Sequence, residues 1–321
     1  MDIKDIHNIV VIGLGTMGPG IIQAFAQAGY QVTGYDISPG APQSCHAVIN
    51  TSLESLIKIK RITEQDRKQT LSRIQYTDDP TCALKEAQIV IEAVVENKAI
   101  KRSVFELIDA DAPDDCMIWS NTSTLNIFEA LPESRLKTGI IAHWFAPPHI
   151  IPLVEVVKGE ETASGTVALT MALLKKLDKI PILIEKFVPG FIINRILRNL
   201  GREAFFLLDN GYISKEDLDL AVKASIAPRM MVLGLIQRYD FTGLDLSARN
   251  LLDKDFFDPP VDNRPKSLQS RIDRGDLGVK TGKGFYDYSD KKLTDVLKNR
   301  DEQLLKVMDR LQFCLKEDRL L

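Results

Sequence analysis

A short apolar run followed by a glycine-rich turn constrains this chain more than any other feature. Residues 8–13 read NIVVIG, and the segment continues as GLGTMGPG, with glycines in G-x-G-x-x-G spacing at Gly13, Gly15 and Gly18. A helical pattern of apolar residues follows, and then a second strand-like run, QVTGYD, which ends in Asp36. A strand, a tight glycine turn, a helix and a second strand in this order predict a βαβ unit in a parallel sheet.

The three glycines also predict what the turn binds. Gly13 permits the tight turn, Gly15 lets a pyrophosphate approach the backbone, and Gly18 lets the helix pack on the strand. The free N–H groups at the start of the helix would then face the phosphates. The predicted cofactor site also includes the turn residues Thr16 and Met17.

Asp36 indicates which dinucleotide is bound. It follows Gly13 by 23 residues, close to the spacing at which an acid reaches the ribose 2′-hydroxyl. Its carboxylate would repel a 2′-phosphate, and the next residues, Ile37 and Ser38, supply no arginine to bind one. The sequence therefore predicts NAD rather than NADP. An ordinary glycine turn between a strand and a helix is the alternative.

Further apolar runs continue the predicted sheet after a segment, residues 47–76, that is expected to be helical. Polar residues stand where these runs end: Glu96, then Asn121 and Ser123, and finally His143. Ligands of open parallel sheets bind beyond the carboxyl ends of the strands. We therefore expect these side chains to converge near the glycine turn, although Ser123 could instead be a loop or helix-cap hydroxyl.

The stretch IIAHWFAPPHIIPLVEVV, residues 140–157, places an acid inside an apolar run. A buried carboxylate costs several kcal/mol, by rough estimate, unless it has a partner. Prolines interrupt the chain between His143 and Glu155, so LVEVV is predicted to return as a strand that brings the acid beside the imidazole. Such a pair suits a reaction that removes a hydroxyl proton, because histidine is a general base near neutral pH and a carboxylate stabilises the imidazolium. The alternatives are a structural histidine and a Glu155 that faces water.

The composition limits the classes of partner. The chain has 321 residues, a hydrophobic fraction of 45% and a net charge of −3, which allows two domains and disfavours nucleic acid. No apolar run reaches the ~18 residues of a membrane span, and the start lacks the pattern of a signal peptide. The four cysteines fit no metal spacing. We expect a cytoplasmic protein without a metal site, with its cysteines reduced and mostly in the core.

The last third of the chain is predicted to be helical. We place the domain boundary after Phe187, which gives domains of residues 1–187 and 188–321. Residues 191–211 have helical periodicity and carry Asn194, which could donate to a substrate carbonyl or could be a buried amide bonded to backbone. Ser214 is predicted to cap the next helix, and residues 289–321 are predicted to form a terminal helix.

The chain resembles the 3-hydroxyacyl-CoA dehydrogenase family over nearly its full length. The stretches that carry the resemblance are IGLGTMGPGI, VVENKAIK, SNTSTL, the His143–Glu155 segment, VPGFIINRIL and TGKGFYDY. The resemblance implies a Rossmann-like, doubly wound α/β sheet domain followed by an all-α C-terminal domain, usually in a homodimer. It also implies that His143 is the catalytic base, Glu155 its orienting acid, and Ser123 and Asn194 contacts of the reacting group. Glu96, Lys101 and Asn121 would lie along the cofactor.

One departure from the family pattern affects the expected substrate. The family commonly has H-F-F-N-P, whereas this chain has HWFAPP, with Ala146 in place of the asparagine. The run that follows is more similar to relatives that act on small free carboxylates, such as gulonate, carnitine and pyridine-carboxylate dehydrogenases. We expect NAD-dependent oxidation of a 3-hydroxyacyl-CoA in fatty acid metabolism. The alternatives are oxidation of a free hydroxy carboxylate, and a non-catalytic, crystallin-like protein that binds NADH.

Overall fold

The structure is a computed structural model, and it describes residues 2–255 and 257–315. The chain divides into two compact units, residues 1–195 and residues 196–321. The division lies a few residues beyond the boundary predicted after Phe187.

The first unit contains one eight-stranded sheet, in the order β3-β2-β1-β4-β5-β6-β7-β8. The strands are β1 Asn8–Ile12, β2 Gln31–Tyr35, β3 Ile74–Thr77, β4 Ile89–Glu92, β5 Met117–Ser120, β6 Gly139–Trp144, β7 Leu153–Val157 and β8 Ile180–Ile184. All pairs among β1 to β6 are parallel, β7 pairs antiparallel with β6, and β8 is parallel to β7. This topology confirms the predicted doubly wound, Rossmann-like sheet.

Helices cover both faces of the sheet, and their apolar sides explain why the central strands are buried along their length. The helices of this unit are α1 Gly18–Gln27, α2 Ala41–Lys58, α3 Glu64–Ser72, α4 Pro80–Leu84, α5 Lys98–Asp111 and α6 Ser164–Lys176, and α7 Ile193–Asp209 begins in it. Fully buried residues such as Ile21 and Phe25 on α1 and Phe105 and Ile108 on α5 supply the core.

The segment predicted as helical, residues 47–76, is only partly so. α2 and α3 occupy most of it, but Ile74 begins strand β3, which pairs with β2 through Val32. A strand of four residues is too short to interrupt a helical periodicity visibly, and its pairing partner is distant in sequence. The cysteine prediction was also only half right, because Cys45 and Cys116 are buried but Cys82 is exposed and Cys314 is partly exposed.

The described part of the second unit is helical, as predicted. Its helices are α8 Lys215–Ala221, α9 Ala227–Leu233, α10 Gln237–Thr242, α11 Leu244–Leu252, α12 Lys266–Asp273 and α13 Leu293–Leu311, with a π-helical turn at Val222–Ile226. The Ser214 hydroxyl accepts from the N–H of Asp217 and caps α8. α13 lies within the predicted terminal helix, whose residues 316–321 are outside the described residues. Across the described ranges, no helix has the length and apolar character needed to cross a bilayer.

Candidate active site

At two of the three G-x-G-x-x-G positions of the turn between β1 and α1, the backbone leaves no room for a side chain. Gly13 has a φ of 101°, and a Cβ there would lie 2.6 Å from the carbonyl carbon of Ala93. A Cβ on Gly18 would lie 2.2 Å from the Gly13 oxygen. A Cβ on Gly15 would meet no atom within 4 Å, because this residue faces an open cleft. The turn therefore leaves space beside its backbone for a phosphate group.

A cavity of about 950 Å³ opens at this turn, along the carboxyl ends of the parallel strands. All of its lining residues belong to the first unit. The structure brings ten of the thirteen predicted site residues to its wall: Gly13, Gly15, Thr16, Met17, Asp36, Glu96, Asn121, Ser123, His143 and Asn194. Gly18, Lys101 and Glu155 lie behind the wall, where they support residues that line it.

Asp36 directly follows β2 and is fixed by two backbone groups. Its Oδ2 accepts from the N–H of Leu14 at 2.8 Å, and its Oδ1 accepts from the N–H of Ser38 at 2.8 Å. Each oxygen keeps a second acceptor position for a sugar hydroxyl. Among the described residues, no lysine or arginine lines the cavity. The open backbone at Gly15 and this acid therefore fit NAD and disfavour a 2′-phosphate.

His143 and Glu155 form the predicted pair. They lie directly opposite each other in the β6–β7 ladder, and the imidazole Nδ1 is 2.9 Å from Glu155 Oε2. Glu155 is fully buried, so the alternative that it faces water is wrong. Its other oxygen accepts from the N–H groups of Ile192 and Ile193, both at 2.9 Å, at the start of α7. The helix N-terminus thus stabilises the negative charge of this carboxylate.

The imidazole of His143 sits between two aromatic rings at the cavity wall. The ring centroids of Phe145 and Phe191 are 4.5 Å and 5.4 Å from that of His143. Because Nδ1 is engaged by Glu155, Nε2 is the nitrogen available to a ligand. The aromatic rings exclude water from the pair, which strengthens the interaction between imidazole and carboxylate.

Glu96 organises the loop that carries Ser123. Its Oε1 accepts from the N–H and the hydroxyl of Ser123, at 2.8 and 3.0 Å, and from the corresponding groups of Thr124. Burial alone would raise the pKa of the Glu96 carboxyl, but the hydrogen bond from Thr122, the charge of Lys101 and the bonds from Ser123 outweigh it and lower the pKa to about 2. Glu96 is therefore an anion. It lines the cavity and also positions Ser123.

Lys101 is placed differently from the position that the resemblance implied. Its side chain is almost fully buried, and its Nζ lies 2.7 Å from Glu92 Oε1 and 3.4 Å from Glu96 Oε2. Glu92, at the end of β4, also accepts from the Ser120 hydroxyl at 2.5 Å. The lysine thus supports Glu96 from beneath and does not line the cavity. Sequence reasoning did not single out Glu92, although an acid in the otherwise apolar IVIE strand was a signal of the same kind as Glu155.

Two amides complete the wall near His143. Asn121 Oδ1 accepts from the N–H of Trp144 at 2.8 Å, which ties the ends of β5 and β6 together. The side-chain amide of Asn194 donates to the Ser123 carbonyl at 3.4 Å. Ser123, His143 and Asn194 therefore all line the cavity, and the Asn194 amide is bonded to the loop that carries Ser123.

The family comparisons agree with this geometry. Residues 8–187 match the model of the 3-hydroxyacyl-CoA dehydrogenase NAD binding domain, and residues 190–288 match that of the 3-hydroxyacyl-CoA dehydrogenase C-terminal domain. The fold and the site define an NAD-dependent dehydrogenase that acts on a hydroxyl group. More particularly, the chain belongs to the 3-hydroxyacyl-CoA dehydrogenase family.

Similar proteins fall into two substrate groups. The 5-formyl-3-hydroxy-2-methylpyridine 4-carboxylate 5-dehydrogenase of Mesorhizobium japonicum is 34% identical, over 94% of this chain and 97% of the relative. The 3-hydroxybutyryl-CoA dehydrogenase of Clostridioides difficile is also 34% identical, over 88% and 99%.

Solved structures show the same division. A structure of the pyridine-carboxylate enzyme, described as an NAD+ dependent dismutase, has a TM-score of 0.84 at 32% identity and covers 96% of this chain and 99% of that one. The (S)-3-hydroxybutyryl-CoA dehydrogenase of Ralstonia eutropha has a TM-score of 0.70 at 35% identity and covers 88% and 99%.

Proposed function

We propose that the protein oxidises the hydroxyl group of a 3-hydroxyacyl-CoA, such as 3-hydroxybutyryl-CoA, to the 3-oxo form. The observation that carries the proposal is the buried His143–Glu155 pair at the wall of the dinucleotide cavity. NAD, when bound, supplies the two-electron acceptor for this oxidation. The protein itself must bind and orient the substrate and remove the hydroxyl proton.

His143 is assigned the proton transfer. With its Nδ1–H donated to Glu155, the lone pair of Nε2 accepts the hydroxyl proton of the substrate. The charge that develops on the imidazole is stabilised by Glu155, which is held by two backbone N–H groups at 2.9 Å and cannot turn away. Asn194 keeps a second amide N–H, which donates to a substrate oxygen. The Ser123 hydroxyl donates to Glu96 in this structure, and it donates to the substrate by turning away from that carboxylate. Gly15 and Asp36 hold the cofactor along the opposite part of the cavity.

A second substrate class has its own support. Ala146 lies at the cavity wall where the family commonly has asparagine, and the match to the pyridine-carboxylate dehydrogenase extends over more of this chain than the match to the butyryl-CoA enzyme. Oxidation of a free hydroxy carboxylate, or of a hydrated aldehyde beside a carboxylate, is therefore the second candidate. In either case His143 would take a proton from a hydroxyl group.

A comparison of substrates tests the proposal. The absorbance of NADH would be followed with acetoacetyl-CoA, with free 3-oxo acids and with aromatic formyl carboxylates. Turnover of the thioester alone supports the first candidate, and turnover of free carboxylates alone replaces it with the second. Tight NADH binding without turnover of any compound would contradict both and favour a non-catalytic role.

We also propose that the protein is a cytoplasmic homodimer. Among the described residues of the second unit, Leu305 and Pro265 are the only apolar residues that are buried. Large side chains such as Ile236 and Phe241 are 76% and 63% exposed, and exposed apolar surface of this extent favours an interface with a partner. The four cysteines are free thiols, which suits a reducing compartment. Sedimentation equilibrium tests the dimer, and cell fractionation tests the location.

A further inference from the structure

The turn between β6 and β7 has backbone carbonyls that no group within the turn satisfies. Three of the six residues from Pro147 to Pro152 are prolines, which lack an N–H. The amides of Ile150 and Ile151 both donate to the single carbonyl of Pro147, at 3.0 Å each. The carbonyls of Pro148 and Ile151 therefore need donors from elsewhere in the molecule.

Lys179 supplies them. This residue is 8% exposed and stands immediately before β8. Its Nζ donates to the Pro148 carbonyl at 2.6 Å and to the Ile151 carbonyl at 3.1 Å. The parallel register of β7 and β8 begins with Leu153 opposite Ile180, and this places the lysine at the same edge of the sheet as His143.

The ammonium group of Lys179 also lies beside Trp144, a residue of the cavity wall. It lies 5.4 Å from the centre of the Trp144 ring, a distance at which a cation is attracted to an indole. Trp144 follows His143, is 1% exposed, and lines the cavity together with Phe145 and Ala146. The turn also rests on α1, since a Cβ on Gly20 would be 2.8 Å from the Pro148 ring.

We propose that Lys179 is a positioning residue for the part of the cavity wall formed by Trp144, Phe145 and Ala146. The effect of Lys179 on catalysis rests on the proposed function. Its two hydrogen bonds hold the proline turn against α1 and fix Trp144, and with them the cavity-lining residues Phe145 and Ala146. Burial of this cation also perturbs its titration. Burial lowers the pKa of Lys179 to about 8, and the neighbouring charge of Asp178 only partly opposes this.

This role predicts that substitutions of Lys179 weaken substrate binding and leave cofactor binding unchanged. Lys179→Met removes the donors but keeps the length of the side chain, so the KM for the substrate should rise about tenfold, the size expected from losing such hydrogen bonds. The dissociation constant of NADH should change by less than about twofold, because the glycine turn and Asp36 do not contact the lysine. Lys179→Arg keeps a charged donor and should recover most of the substrate KM.

A matched control is available on the preceding helix. Lys176 is also close to an aromatic ring, with its Nζ 5.0 Å from the centre of Tyr30, but it is exposed and donates to no carbonyl of the turn in the hydrogen bonds described. Lys176→Met should therefore leave both the substrate KM and the NADH dissociation constant unchanged. Lys179→Leu, which also removes both donors, replaces the methionine variant if the latter does not fold, with the same expected results.

A second measurement does not depend on turnover. The chain has two tryptophans, and quenching of their fluorescence by acrylamide should increase in Lys179→Met but not in Lys176→Met. A Trp144→Phe background should abolish that increase, since the signal would come from the indole beside the lysine. If the wild type turns over none of the substrates, the proposed function fails while this measurement still tests the positioning of the turn. Unchanged quenching in Lys179→Met, or an equal rise of the substrate KM and the NADH dissociation constant, would overturn the proposal.

Discussion

At the scale of single residues, the site depends on charges that are buried and still satisfied. Glu155 could be predicted from sequence because it interrupts an apolar strand and because His143 lies twelve residues before it. The same signal at Glu92 has a different meaning, since that acid is paired with the buried cation of Lys101, at 2.7 Å, and not with a histidine. An acid within an apolar run of a single sequence identifies a buried charge. Only the packing in the structure shows whether the partner of that charge is a base or a structural cation.

His143→Gln should lower kcat by ~10²–10⁴, the usual contribution of a general base. The dissociation constant of NADH should stay within about twofold of wild type, because the imidazole pairs with Glu155 and contacts neither Gly15 nor Asp36. Steady-state rates and fluorescence titration with NADH would be compared with those of His7→Gln, an exposed histidine. A glutamine variant at position 143 with wild-type kcat would remove this residue from the mechanism.

Glu96→Gln should reduce the stability at neutral pH and alter its dependence on pH. The folded pKa of Glu96, about 2, is below the ordinary 4.5, so its stabilisation is present above pH 4.5 and is lost as the pH falls toward 2. We expect a loss of about 1–2 kcal/mol at pH 7, after a discount for the partial exposure of this carboxylate.

Urea unfolding between pH 7 and acid would measure this effect. The stability difference between wild type and Glu96→Gln should shrink as the pH is lowered, while the exposed Glu160→Gln should follow the wild type throughout. A difference that stays constant with pH would mean that the variant acts through lost packing and not through the ionised carboxylate.

At the scale of elements, the β1–α1–β2 unit and the β6–β7 hairpin could be predicted, whereas β3 could not. The first two carry local signals, namely the glycine spacing and the prolines that force the chain to reverse. β3 is only Ile74–Thr77, and its place at the sheet edge depends on pairing with Val32. The loop at Ser123 was also beyond sequence reasoning in detail, because its geometry is set by Glu96, which lies 27 residues earlier in the chain.

The glycine turn gives a prediction at this scale. Gly18→Ala places a methyl group 2.2 Å from the Gly13 oxygen, so it should both lower the melting temperature and weaken NAD binding by at least about tenfold. Gly15→Ala meets no protein atom within 4 Å and should weaken NAD binding without lowering the melting temperature, because its methyl group projects toward the cofactor.

Gly165→Ala serves as the control for both variants. It lies in α6, away from the cavity wall, and its added methyl group also meets no atom within 4 Å. Melting curves and NAD titrations of the three variants would separate a steric role in the turn from a role in the cleft. Unchanged NAD affinity in Gly15→Ala would place the pyrophosphate elsewhere.

At the scale of the whole molecule, the two units differ in how they bury apolar surface. The sheet of the first unit has a continuous core that includes Val10, Val90, Phe105 and Ile118. The second unit exposes apolar side chains on several helices, for example Val232 on α9 and Leu251 on α11. The sequence showed the helical periodicity of that unit, but it could not show which apolar faces stay uncovered within one chain.

If a second copy covers these faces, stability must depend on protein concentration. Folding coupled to dimer formation gains about 1.4 kcal/mol per chain pair for each tenfold increase in concentration. The melting temperature should therefore rise measurably over a hundredfold range of concentration, followed by circular dichroism or calorimetry. Ile236→Glu, at a side chain that is 76% exposed, should sediment as a single chain and melt at a concentration-independent temperature. Ile37→Glu, at a side chain of the first unit that is 86% exposed, should behave as wild type in sedimentation. A wild-type melting temperature that does not move with concentration, together with single-chain sedimentation, would show that the second unit is stable with its apolar faces in water.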